Sequence, residues 1–206
     1  MGEHSSSGER GQAVPKGRRK VNNRNFYLAL VLAVGVAVPV HIVNFPGSVP
    51  DFVAASGGGT LLDAKPAFSA DGIYARLEGY GRKGRENYAM RNVTVDVLLP
   101  LSVLPFLLLL ARRADARGRH GRAARTLLLA LPFAYVAFDF AENAAVLALL
   151  SSFPERREII AGMLPFLTMI KRASSMLAVI VPLTILTIAM IRRTPRSAAN
   201  NRLTTP

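Results

Sequence analysis

Leu131-Pro-Phe-Ala-Tyr-Val-Ala-Phe-Asp-Phe-Ala-Glu-Asn143 is an apolar stretch that nevertheless carries two carboxylates and an amide. It lies inside a hydrophobic run, 126–150, long enough to cross a bilayer. A charge facing hydrocarbon is costly, so Asp139 and Glu142 are expected to face protein, as a structural lock or as a site. The two acids are three apart and Asn143 is four from Asp139, so on a helix they share one face. Tyr135, four residues before Asp139, extends it.

Working outward, three more apolar runs reach spanning length: 26–43, 93–111 and 159–191. The fold expected is all-α, a four-span transmembrane helical bundle with a short extracytoplasmic helical hairpin. Pro39 is expected to bend the first span, and Pro100 and Pro105 the second. The last run is long for a single crossing, so part of it must project or tilt. The basic stretch before 26–43 resembles a signal peptide, but the reading taken is a retained helix. Met1-Gly2 with Ser6 fits only a loose acylation pattern and is set aside.

The 206 residues carry a net charge of +13. The basic residues cluster beside the apolar runs, where they direct topology, so nucleic acid is not an expected partner. Residues 1–25 read as a disordered basic cytoplasmic tail, 192–206 as a second cytoplasmic tail, and the Arg-rich 112–125 as a cytoplasmic loop. Residues 44–92 and 151–158 are mixed in charge and are placed outside. In the larger loop, Ser69 is a candidate cap for a helix starting at Ala70. A turn is expected near Tyr80-Gly-Arg82, and a second helix then runs towards the next span. The membrane expected is the bacterial cytoplasmic one.

Cysteine is absent, which excludes disulfides and thiolate chemistry. His4, His41 and His120 fall in separate segments, so no metal site is expected. There is no Gly-rich phosphate loop and no nucleophilic Ser motif, so no cofactor is expected and the chain reads more as a non-enzyme than an enzyme.

Counting at ~1.5 Å per residue from the basic rims puts His41, Asp96, Asp139, Glu142, Lys171 and Arg172 in one layer, roughly 21–32 Å up. That layer is the outer leaflet. Thr168, Lys171, Arg172 and Ser175 form a polar stripe on the last span, and such a stripe should turn towards the bundle. Asp96, Tyr135, Asp139, Glu142, Asn143, Lys171, Arg172 and Ser175 are therefore the candidate cluster. Arg172 is expected to meet a carboxylate, Asp139 in particular. Two readings stay open, ahead of a third, a proton-coupled carrier, which would need polar residues in both leaflets where the sequence shows them in one. In one the cluster is an ion-pair lock in a structural or accessory membrane protein. In the other it lines a polar pocket of a lipid-binding or lipid-modifying protein, with a carboxylate as acid or base. The partners expected are the bilayer, lipid headgroups or another membrane protein.

Two short motifs carry a resemblance. Tyr88 with Val95-Asp96-Val-Leu-Leu-Pro100, and then Phe138 to Asn143, resemble small uncharacterised four-helix integral membrane proteins of bacteria. The resemblance covers roughly 70–191 and implies a four-span fold with an outer hairpin. It implies no activity.

Overall fold

A computed structural model describes residues 22–118 and 121–192. The basic tails expected at 1–25 and 192–206 fall almost wholly outside them. Seven helices follow in order: α1 Asn23–Ile42, α2 Val49–Ala55, α3 Ala70–Gly79, α4 Gly81–Val93, α5 Val95–Arg117, α6 Arg122–Ser152 and α7 Glu158–Ile191. No strand occurs among the described residues. Among the described residues four helical stretches are long and apolar enough to cross a membrane: α1, α4–α5 taken together, α6 and α7.

Local chemistry sets the helix starts. Asn22 accepts from the Arg24 amide, and Ser69 accepts from the Gly72 amide at the head of α3. Ser48 accepts from the amides of Phe45 and Asp51, closing the turn into α2. Each satisfies a first-turn N–H that has no partner within its helix.

The second span differs from its sequence reading. The helix does not stop at 111 but runs to Arg117, and α6 already begins at Arg122. Arginine is a good helix former, so the backbone winds on past the point where apolar residues end. The basic loop expected over 112–125 therefore shrinks to a few residues around Gly118 and Gly121. Hydrophobicity marks what a bilayer accepts, not where a helix ends.

α6 and α7 are joined by a short turn and pack along each other more extensively than any other pair. α5 lies against α1, α6 and α7. By contrast, α1 packs along α5 and touches α2, with no comparable contact to α6 or α7. At 34 residues and ~1.5 Å each, α7 is about 51 Å long, beyond a ~30 Å hydrocarbon core. Its N-terminal end, with the C-terminal end of α6, rises into a cap formed by α2, α3 and α4.

The largest apolar core lies in that cap rather than between the spans. Phe52, Leu61, Leu62, Ile73 and Leu77 bury against Val146, Leu149, Ala161 and Leu164. Phe52, Tyr80 and Tyr88 stack edge-on and tilted with ring centroids 5.1–6.1 Å apart. Such ring pairs add about 0.5–1.5 kcal/mol each beyond burial. A second cluster, Ala111, Ala114 and Leu128, closes the far end. There Arg125 pairs with the buried Asp115 at 3.2 Å.

Two glycines fix the close approaches in the cap. Gly47 has φ +85°, which a side chain would strain, and a Cβ there would press on Val95 at 3.1 Å. Gly84 lets α4 meet the end of α2, since a Cβ would sit 2.9 Å from the Ser56 Cα.

Candidate functional site

The centre of the site is the Lys171 ammonium. It pairs with Glu142, with Asp139 at 3.3 Å and with Asp63 at 3.6 Å. Glu142 is 1% exposed and also accepts from the Thr168 hydroxyl, one turn before Lys171 on α7. The α6 acids and the α7 stripe thus face each other because an apolar environment leaves them no better partner. Breaking a buried pair by removing one member costs about 3–5 kcal/mol, so this contact firmly fixes how α6 and α7 are rotated.

A proline explains the next contact. Pro100 has no N–H, so the Asp96 carbonyl four residues earlier loses its helical donor. The Asn143 amide donates to that carbonyl at 3.2 Å and to the Asp139 carboxylate at 3.1 Å. One side chain therefore repairs the bent α5 and orients an α6 acid.

The Asp96 side chain has its own partner, Arg91, at 2.8 Å. On an unbroken helix residues five apart point about 140° away from each other. Thr94, with φ −118° and ψ −82°, breaks the α4–α5 path and brings them together. Arg91 is buried and also donates to the Gly47 carbonyl at 2.7 Å. It ties the cap's first turn to the head of the span.

Arg172 does not meet a carboxylate, contrary to the expectation for Asp139. Its guanidinium donates to the backbone carbonyls of Asp63 and Ala64. These lie in irregular chain between α2 and α3, where carbonyls lack ladder partners and accept a charged donor. Lys171, one residue earlier on the helix, takes the acids instead. Ser175 donates to the Arg172 carbonyl at 2.9 Å.

These groups surround a cavity of about 370 Å³, within the range of small-molecule sites. Its wall includes His41 of α1, Arg91, Asp96, Tyr135 and Asp139, and Lys171, Arg172 and Ser175 of α7. α1 and α7 both contribute to this wall and have no extensive contact with each other. Of the eight candidate residues, seven line this cavity and Glu142 stands behind Lys171.

The sequence reading missed Asp63 and Arg91. Asp63 sits in chain without periodicity, so nothing in its spacing points inward. Arg91 was hidden because a spacing of five does not align two residues on one helix.

Among the described residues no grouping of His, Asp and Glu is suited to a metal ion. Outside the spans, Asp51 accepts from the Gly47 amide at 2.9 Å and from Asn87 at 2.6 Å. These bonds, the Gly47 amide foremost, hold its carboxyl below the ordinary value of 3.8. Burial pushes the Tyr80 phenol up. Comparison with models of known protein families, with curated proteins and with solved structures finds no match.

Proposed function

We propose that this multi-pass membrane protein binds the polar headgroup of a membrane lipid in the cavity beneath the α2–α4 cap. In this reading the cap faces outward, both termini are cytoplasmic, and the headgroup enters sideways between α1 and α7. The observation that carries it is the cavity itself: about 370 Å³ of open space beside charged residues, lined in part by two spans that have no extensive contact with each other. A cluster serving only to lock helices has no need of such a space, because buried charges are cheapest when closely surrounded by partners. The basic residues flanking the other end of the spans support the orientation.

The test is to fill the space without touching an ion pair. Ser175→Phe adds bulk on the cavity wall. Expected is a protein of preserved stability that loses its co-purifying lipid, read by mass spectrometry of the detergent-extracted protein. Unchanged lipid at preserved stability sinks the reading.

A second reading, a structural or accessory protein, has one observation in its favour. Each cation of the cluster already holds an acid or a carbonyl. It predicts that Glu142→Gln lowers stability and leaves the lipid complement alone.

A further inference from the structure

We infer that the cavity selects a zwitterionic headgroup bearing a primary ammonium and a phosphate, of the phosphoethanolamine kind. This rests on the headgroup reading and names its ligand. Charge is the first argument. Four carboxylates, those of Asp63, Asp96, Asp139 and Glu142, stand against the cations of Arg91, Lys171 and Arg172. A simple anion would meet this acid excess and be repelled, and a simple cation would leave Arg172, which among the described residues holds carbonyls and no carboxylate, without a counter-charge.

The second argument is what remains unpaired. Among the described residues, the Arg91 Nε donor and the Asp63 Oδ1 acceptor have no hydrogen-bond partner. The Arg91 side chain is only 4% exposed, so an unanswered donor there is costly. Both residues lie on the cavity wall. One needs an acceptor such as a phosphate oxygen; the other needs a donor such as an ammonium. Both atoms are closed off from the open space in this structure, so a ligand that joins the two groups satisfies both as the side chains turn to meet it.

The third argument separates the primary amine from a quaternary one. A quaternary ammonium has no N–H and is held by stacked aromatic faces. Among the described residues Tyr135 is the one Phe, Tyr or Trp ring on this wall, whereas the carboxylates of Asp63, Asp96 and Asp139 all reach it. The wall therefore favours ethanolamine over choline.

The experiment is competition. Wild-type protein is exchanged into an equimolar mixture of phosphatidylethanolamine, phosphatidylcholine and phosphatidylglycerol of identical acyl chains. Retained lipid is counted by native mass spectrometry. Ethanolamine lipid is expected to exceed each rival by about tenfold, the effect of one charge-assisted hydrogen bond. Asp63→Asn should bring the ethanolamine-to-choline ratio close to one while lipid is still retained. Equal retention of the two in wild type, or a preference for the glycerol lipid, overturns this selectivity. If that retention still disappears in Ser175→Phe, the headgroup reading stands. If wild type retains no more lipid than Ser175→Phe, both fall. A soluble arm adds glycerophosphoethanolamine. Its binding without lipid retention supports the same ligand chemistry from a soluble source and overturns entry between α1 and α7.

Discussion

Replacing Lys171 with Met should be among the most destabilising single changes in the membrane part of the chain. The side chain is 13% exposed and its ammonium serves Glu142, Asp139 and Asp63 at once. Met keeps the length and removes the charge. Glu142 is then left with the Thr168 hydroxyl, and Asp139 with the Asn143 amide. Removing one member of a buried pair costs about 3–5 kcal/mol, and the low exposure leaves little solvent screening to reduce this. Arg172→Met makes the contrast. It loses two bonds to loop carbonyls from a half-buried group, about 1–3 kcal/mol in all. The assay is unfolding in mixed micelles with increasing denaturing detergent. Adding Glu142→Gln to Lys171→Met removes the stranded charge, so the double variant should lose less than the sum by ~0.5–3 kcal/mol. Asp139→Ala should likewise couple to Lys171→Ala more strongly than to Arg172→Ala. Two results would refute the reasoning: Lys171→Met costing no more than Arg172→Met, or strict additivity with Glu142→Gln.

Three other outcomes are expected. Asp51 has a depressed carboxyl in the folded state, so its contribution to stability is present above the unfolded value and lost as pH falls through the folded one. The stability gap between wild type and Asp51→Asn should therefore be flat above about pH 5 and close below 3.8, as followed by unfolding from pH 3 to 7. Gly84→Ala drives a methyl into the Ser56 backbone and should cost ~1–3 kcal/mol, whereas Gly79→Ala meets open space and should be neutral or gain up to ~1 kcal/mol in the same assay. The chain has no cysteine, so Glu86→Cys and Arg122→Cys are clean topology probes. A membrane-impermeant maleimide should label the first in intact cells and the second only after lysis; the reverse pattern inverts the proposed orientation.

The spans and the heart of the cluster were legible because lipid-length hydrophobicity is a strong signal and charges inside it are rare. Asp139, Glu142 and Asn143 at helical spacing, set against the Thr168-Lys171-Ser175 stripe, were enough to turn two helices towards each other. What could not be read depended on irregular backbone. Asp63 reaches Lys171 from a segment with no repeat, and Arg91 meets Asp96 only because the chain bends at Thr94. The Asp139–Arg172 pairing failed for a related reason. Open carbonyls of the cap took Arg172, and no pattern of side chains announces where unpaired carbonyls lie. The role of Asn143 at Pro100 was visible in principle, since a proline always orphans the carbonyl four residues before it.

Lys171 belongs to the final helix, twenty-nine residues after Glu142. A ribosome therefore releases the α6 acids before their counter-charge has been made. An acid at the centre of a span is penalised by ~2.5–3.5 kcal/mol at the insertion machinery, and less towards the outer leaflet where these two lie, so together they oppose the entry of α6 on its own. The short turn between Ser152 and Glu158 offers a way round. α6 and α7 can enter the membrane as one preassembled hairpin, with the ammonium already seated among its acids. A chain halted before Lys171 would then leave α6 waiting at the surface, and residue 171 would mark the point in synthesis at which the membrane domain becomes committed.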